Sequence, residues 1–449
     1  MTEDFAGWVD AYVSSFGSVW GEAHAFSGYV LVARAGAPVF AKAYGRANRT
    51  SRAIADADTR FRIGSVTKQF TAVAILTLVE KGLVRLGDTV SRYVSGLSFG
   101  DRVTLHHCLT HTSGIASYTD DADFMKEHDR PHTREQVVDV FRHKPLQFEP
   151  GAEFRYSNSN YFLLGMVIEK AAGRTYEDYL QSAVLGPARM TRTSTIDAPD
   201  APNTAVGYTC EGEELVPAGA VDMSNPFAAG ALRSTANDLV RWDRALAGDA
   251  LLSEDSKRRM ATAVRGNYGY GIGTSTIDGH EVHGHGGGID GFICDYARVP
   301  DEGLAIAVLS NVESMAPFGI FDAILRMAIG GRRIDPPVES APVPLDATTV
   351  SRFTGTYEMD AESNAKHRGK VPDANLASIQ TITISEDQQG LWFKPNGQRR
   401  APLFLRGDGR LFMKLTSTTL EAEPPDGRAE AIVARQGGFR ARYVRVQPQ

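Results

Sequence analysis

The residue pattern predicts an α+β architecture: an antiparallel sheet flanked by helices, with an all-helical insert, followed by a small all-β barrel. Three observations carry this. Short β-rich runs occur at residues 28–33 and 39–44, then return only at 268–276, 280–285, 292–299 and 304–310. Between them, from Asp88 to about Met190, helical and loop signals dominate, and strands that bracket helices suit an antiparallel sheet covered by helices. Beyond residue 332 the texture changes, through a semi-rigid Pro-rich stretch (residues 333–344), to many short strands. The predicted division is a first domain over 1–332, a linker over 333–350 and a β-barrel domain over 351–449.

Taken in order, Phe5, Trp8, Val9, Tyr12, Val13 and Phe16 recur at helical spacing and predict a first helix. The segment lacks the basic start and continuous apolar run of a signal peptide. A hairpin follows, turning at Arg34-Ala35-Gly36-Ala37-Pro38. Residues 69–81 read as an amphipathic helix, and 317–329 as another. In the tail, runs at 353–357, 379–384, 391–394, 401–405, 411–415, 429–434 and 439–446 are separated by Gly, Asp, Pro and Asn. Gly407-Asp408-Gly409 is a clear turn. Seven or eight strands in so short a tail imply a meander or barrel.

Composition excludes several classes of function. A net charge of −6 gives no basic surface for nucleic acid or an anionic membrane. No stretch reaches the ~18 apolar residues of a membrane span. Cys108, Cys210 and Cys294 are widely spaced and odd in number, which predicts reduced thiols rather than a disulfide framework or metal knuckle. Together these favour the cytoplasm.

Chemistry concentrates in three places. Ser65-Val66-Thr67-Lys68 opens the helix at 69–81. Serine and lysine three apart at a helix start share a face, which sets an amine beside a hydroxyl and activates a serine without histidine. Ser363-Asn364-Ala365-Lys366 has the same spacing, but in a polar stretch that predicts a loop. The second place is Phe148-Glu149-Pro150-Gly151 through Tyr156-Ser157-Asn158-Ser159, a turn and aromatic loop ahead of a helix over 162–172, with Asn158 or Ser159 near its cap. The third is His283-Gly284-His285-Gly286-Gly287-Gly288, where small residues let a substrate backbone lie against the strand. A glycine-rich hairpin with an incidental histidine, or a metal held by His280, His283 and His285, are the competing readings, though no third ligand at a recognised spacing supports a metal. Gly96-Leu97-Ser98-Phe99-Gly100 fits the Gly-x-Ser-x-Gly nucleophile elbow but lacks the buried strand before it and the helix after it.

With these motifs in view, the chain resembles the serine β-lactamase and penicillin-binding-protein superfamily, in its class C-like branch of esterases, D-stereospecific peptidases and amidases. Ser65-Val66-Thr67-Lys68 matches the first motif, Tyr156-Ser157-Asn158 the Tyr-x-Asn motif, and His285-Gly286-Gly287 the Lys-Thr-Gly or His-x-Gly motif. Leu109-Thr110-His111-Thr112-Ser113-Gly114, Glu149-Pro150-Gly151 and the stretch from Ala229 to Leu239 are similar to the family as well, and the match spans about residues 20–330. The tail resembles the lipocalin-like C-terminal domain of some members. The resemblance implies a β-lactamase/transpeptidase-like fold and a serine hydrolase that needs no cofactor or metal. Ser65 would be the nucleophile, with Lys68 and Tyr156 sharing protons as candidate bases. Asn158 would hold Lys68 and the substrate amide. His285 would anchor the substrate, and the backbone N–H groups of Ser65 and Gly288 would form the oxyanion hole. His111, Gly286 and Gly287 would support the site, and Arg155 and Arg233 either meet an anionic substrate or are ordinary surface arginines. The implied substrate is a D-amino-acid-containing peptide or a small ester, with little β-lactamase activity because a neutral histidine replaces a fixed cation. A thioesterase or cyclase passing the acyl group to an amine, and a non-catalytic binding or assembly protein, are the alternatives. The oligomeric state is left open.

Overall fold

In a computed structural model, the chain is described except at residues 1–3, 21–24, 196–202, 212–213, 315, 337–341, 368–375, 377–378, 389, 396–399, 414–417, 437–438 and 447–449. The middle of the expected linker, 337–341, therefore lies outside the described residues. The chain splits into two compact units, the second holding residues 336–449 and two short earlier pieces.

The first unit is built on α1 (Phe5–Trp20), β1 (Gly28–Arg34), β2 (Ala37–Tyr44), α2 (Thr67–Glu80), α3 (Asn158–Ala172), α4 (Phe227–Gly230), β3 (Gly273–Ile277), β4 (His280–Ile289), β5 (Phe292–Val299), β6 (Leu304–Ser310) and α5 (Ala316–Gly330). The strands form one antiparallel sheet in the order β2-β1-β6-β5-β4-β3. Its central strands are buried on both faces. Tyr29, Leu31, Ala33, Cys294, Tyr296, Ala305 and Ala307 join the main core with α2, while α5 packs over β5 and β6 on the other side. The register is long and central: Gly28 to Arg34 pairs residue for residue with Ser310 to Leu304.

Three expectations need correction here. The helix carrying Lys68 is not amphipathic, because Thr67 to Leu78 are all buried and it runs through the core. The strand expected at 268–276 begins only at Gly273, since Tyr268 to Ile272 form a turn in which Gly271 takes φ +72°. A Cβ at Gly271 would stand 2.5 Å from the Lys68 carbonyl oxygen, so the turn and α2 require each other. Arg233 is not at the surface: it is 4% exposed, and its backbone pairs with Arg62.

The second unit is a closed, wholly antiparallel barrel of β7 (Gly355–Met359), β8 (Thr381–Asp387), β9 (Gly390–Pro395), β10 (Ala401–Leu405), β11 (Leu411–Phe412), β12 (Thr419–Glu423), β13 (Ala431–Gln436) and β14 (Phe439–Arg445). The pairing of β7 with β14 closes it. Phe353, Tyr357, Ile382, Ile384, Leu391, Leu403, Leu411, Leu420, Ile432 and Tyr443 fill its interior. Sequence reading missed β12, whose Thr-Leu-Glu-Ala-Glu alternation buries only Leu420 and Ala422. It also misread residues around Ser363, which lie in a short helix, α6 (Ala361–His367), rather than a loop. Asp360 starts that helix by accepting the Ser363 N–H at 2.8 Å.

Candidate active site

Ser65 sits in a single 3₁₀ turn, Gly64–Val66, that runs into α2, so its side chain and that of Lys68 emerge together from the first turns. The structure brings Tyr156, Asn158 and His285 to the same place. Ser98, the rival nucleophile, lies in a turn and donates its hydroxyl to the Arg142 carbonyl at 2.9 Å, with no strand before it and no helix after it.

Lys68 organises the site. Its side chain is fully buried, and Nζ lies 3.1 Å from Ser65 Oγ, 2.8 Å from Asn158 Oδ1 and 2.8 Å from the Ala229 carbonyl oxygen. Among the described residues no carboxylate pairs with it. Burial alone pushes its pKa well below the ordinary lysine range. Asn158, first residue of α3, has its amide turned so that Nδ2 donates to Thr119 Oγ1 at 3.1 Å, which leaves Oδ1 for Lys68. The backbone N–H of Asn158 donates to Ser117 Oγ. The N-cap of α3 is Ser157, whose side chain makes no capping bond, so Asn158 serves Lys68 rather than the helix end.

Tyr156 is the partner expected to share protons with Lys68. Lys68 Nζ stands over the face of its ring, 4.8 Å from the centroid, and the buried hydroxyl makes no hydrogen bond of ordinary geometry. Burial raises its pKa, and the nearby Ser65 hydroxyl offsets that only in part, so the phenol keeps its proton. His111 braces this segment. It is fully buried at φ +56°, its ring lies 4.3 Å from that of Tyr156, and its Nδ1 accepts from the Ser157 N–H and from Asn160 Nδ2, both at 3.2 Å. Two donors at Nδ1 put the ring proton on Nε2. Burial, then Lys68 and His285, hold the imidazole neutral.

The glycines of β4 explain how the third motif reaches Ser65. A Cβ at Gly287 would lie 2.0 Å from the Ile63 carbonyl oxygen, and one at Gly64 would lie 3.0 Å from the Gly288 nitrogen. Only glycine lets the two backbones meet so closely. β4 is joined to β3 and to β5 by two-residue turns, closing at Ile277–His280 and Ile289–Phe292. Each closing pair exchanges hydrogen bonds, and the pattern alternates from it. His285 and Gly287 therefore turn their backbone groups toward β5, while Gly286 and Gly288 turn theirs to the opposite edge. β3 does not reach that far, since its Gly273 pairs with Gly284. Among the described residues no strand therefore pairs with the edge beside Ser65, where His285 Nδ1 takes up the Gly286 carbonyl oxygen.

His285 is fixed at both nitrogens. Nδ1 donates to the Gly286 carbonyl oxygen at 2.5 Å, and Nε2 accepts from Tyr268 Oη at 2.9 Å. Burial and the neighbouring Lys68 bring its pKa down to about 3, so the ring is neutral across the physiological range. His280 and His283 turn elsewhere, to Asp301 and Glu281. Among the described residues no three His, Cys, Asp or Glu side chains are grouped to hold a metal.

Tyr268 and the Ala229 carbonyl were not found from sequence. A backbone acceptor leaves no residue-type signal, and Tyr268 reaches His285 through an irregular turn. A cavity of about 150 Å³ adjoins Ser65, Asn158 and Gly288, and Tyr118, Phe124, Met125, Val221, Pro226 and Ile289 give it an apolar wall.

Fold and site define a β-lactamase-fold serine hydrolase. The family model described as Beta-lactamase matches residues 9–330, and the chain belongs to that family. It is 28% identical over 455 residues to penicillin-binding protein 4* of Bacillus subtilis (strain 168), covering 95% of this chain and 96% of that protein. A D-stereospecific amidohydrolase from Streptomyces sp. superposes with a TM-score of 0.62 at 27% identity, covering 73% of this chain and 99% of that one. The octameric penicillin-binding protein homologue from Pyrococcus abyssi shares the fold over 97% of this chain and 99% of its own, with a TM-score of 0.66 at 23% identity. Among the described residues no helix is long and apolar enough to cross a membrane.

Proposed function

We propose that this protein hydrolyses amide or ester bonds through an acyl-enzyme on Ser65, with Lys68 as the resting base. One observation carries the reading. Asn158 Oδ1 and the Ala229 carbonyl oxygen are acceptors only, and each takes one N–H of Lys68. In a neutral amine that leaves the lone pair for the third neighbour, the Ser65 hydroxyl at 3.1 Å. Burial without a counter-charge favours that neutral form. Lys68 takes the hydroxyl proton as Oγ bonds to the substrate carbonyl carbon. The N–H groups of Ser65 and Gly288 receive the oxyanion, each donor contributing about 10²–10³ in rate. As the C–N or C–O bond breaks, the leaving group takes a proton from the Lys68 ammonium or the Tyr156 phenol. Water then repeats the attack and frees the acid.

The cavity beside Ser65, apolar over most of its wall but with the His128–Asp290 pair in its lining, suits one hydrophobic acyl side chain. The likeness to a D-stereospecific amidohydrolase supports a D-amino acyl group. The neutral His285 offers no fixed cation to a substrate carboxylate, which argues against efficient β-lactam hydrolysis. Buried free thiols at Cys108 and Cys294 fit a cytoplasmic protein. The test runs D- and L-phenylalanyl p-nitroanilide, p-nitrophenyl butyrate and nitrocefin side by side, with fluorophosphonate labelling. We expect labelling at Ser65 and a preference for the D-anilide over its L-form and over nitrocefin. An unlabelled wild type overturns the hydrolase reading, and L-preference overturns the stereochemistry.

A further inference from the structure

A second cavity, of about 500 Å³, starts at Tyr156, Tyr268, His285 and Gly286 and passes round the open edge of β4 to the side of the sheet covered by α5. Its existence follows from two glycines. Cross-strand partners share a sheet face, so His285 and Tyr296 point to the catalytic side, while Gly286 and Asp295 point to the α5 side, as do Gly284 and Ala297. With no side chain at Gly284 or Gly286, nothing on β4 covers Asp295. A Cβ at Gly284 would stand 2.5 Å from the Tyr296 carbonyl oxygen.

Asp295 is 7% exposed, lines this cavity, and its Oδ2 has no hydrogen-bond partner among the described residues. A buried carboxylate is normally paired, because an isolated one loses its hydration without compensation. The other charged group of the lining, Asp322, is already held by Arg326 Nε at 2.9 and 3.1 Å. Among the described residues no lysine or arginine lines the cavity. Burial raises the Asp295 carboxyl to about 7, as expected of an acid without its counter-ion.

We infer that this cavity is a subsite for a cation: the departing part of the substrate carries an ammonium or guanidinium group that Asp295 receives. The inference rests on the acyl-enzyme reading for its connection to catalysis, since the cavity lies beyond His285 and away from the apolar acyl pocket. The lining runs from Tyr156 and His285, which belong to the site around Ser65, round to Asp295. A substrate lying along β4 would keep its apolar acyl side chain on one side of the scissile bond and place its charge on the other.

The experiment compares two amides of D-phenylalanine that differ only in charge, one made with pentylamine and one with 1,5-diaminopentane. We expect wild type to favour the diaminopentane amide by about tenfold or more in kcat/KM, the size of effect a charge-assisted hydrogen bond carries. Asp295→Asn should bring that ratio to about one while leaving the pentyl amide within about twofold. A wild-type ratio of one or less overturns the inference whatever the variant does, and so does an unchanged ratio in Asp295→Asn. The second arm needs no chemistry: calorimetric titration of Ser65→Ala protein with 1,5-diaminopentane. Saturable binding that is lost in Ser65→Ala/Asp295→Asn supports the subsite even where neither amide is cleaved, and absence of binding overturns it.

Discussion

The chain carries Ser-x-x-Lys twice, once in each compact unit, and both copies lie at the start of a helix. At Ser65 the lysine points into the protein, is fully buried, and meets the serine hydroxyl and two acceptors. At Ser363 the lysine three residues on, Lys366, is exposed, and the serine hydroxyl instead accepts the Arg442 N–H at 2.9 Å from the last strand of the barrel. Spacing is the same in both. What differs is whether the lysine has lost its water, since only a desolvated amine gives up its proton near neutrality. The barrel copy is a structural serine holding α6 to β14, and the copy at Ser65 is the one we propose as a nucleophile.

The largest effect separating them is loss of the nucleophile. Ser65→Ala should lower kcat on activated esters by on the order of 10⁶ and abolish fluorophosphonate labelling, whereas Ser363→Ala should leave both within about twofold. Equal labelling of the two variants would break the comparison. Next comes the amine. Lys68→Met should cost about 10²–10⁴ in kcat, the usual range for a general base, and Lys366→Met nothing measurable. The Lys68 effect should also appear in pH profiles. The amine must be neutral to act, so kcat/KM rises with pH through the lowered Lys68 pKa, and this limb should vanish in Lys68→Met. Folding follows the same sign. Between the lowered pKa and the ordinary lysine value of about 10.4, the unfolded chain binds a proton that the folded chain does not, so Lys68 makes stability rise with pH across that window. Denaturant titrations of wild type and Lys68→Met at several pH values would show it.

Most of this distinction was legible before the fold was known, but unevenly. Ser65, Lys68, Tyr156, Asn158 and His285 announce themselves because their chemistry lives in side chains at fixed spacing. Gly287 could be read as room for a backbone, since only glycine tolerates the approach of the Ile63 carbonyl there. Tyr156 was read as sharing protons with Lys68 because spacing places an amine near a phenol, yet burial weighs most on both groups, and burial is a property of the whole core. Tyr268 and the Ala229 carbonyl depend on a turn at Gly271 and on a four-residue helix, neither of which carries a periodic signal. In the barrel, the strand at Thr419–Glu423 was overlooked because three of its five residues are polar, although the other two alternate into the core. The helix at Ser363 was missed because its start depends on Asp360, a cap that reads equally well as a turn.

The backbone side of the site tests the comparison from another direction. Gly287→Ala forces a Cβ against the Ile63 carbonyl and shifts β4 away from Ser65, taking the Gly288 donor out of line. The expected loss is about 10²–10³ in kcat with KM little changed, the signature of a transition-state contact. A comparable change in KM with kcat preserved would place the strand in substrate binding instead.

The smallest effect concerns the histidine that stands where relatives of this class can carry lysine. Tyr268 Oη donates to His285 Nε2, and the Gly286 carbonyl accepts from Nδ1, so the pair fixes one neutral tautomer and steadies the glycine edge. Because the folded His285 titrates only near pH 3, it should show no protonation in ¹⁵N NMR between pH 5 and 8, and its resonances should report the proton on Nδ1. Against an ordinary histidine value of about 6.5, the folded state resists protonation, so the contribution of His285 to stability is whole above that value and is lost as pH falls toward 3. Tyr268→Phe removes a donor that favours the neutral ring. It should raise the His285 pKa and cost about fivefold in kcat, one net hydrogen bond, with the acyl-donor preference intact. A titration near 6.5 in wild type would mean that His285 is wetter than its contacts imply, and that a proton on it, rather than its neutrality, sets what the site accepts.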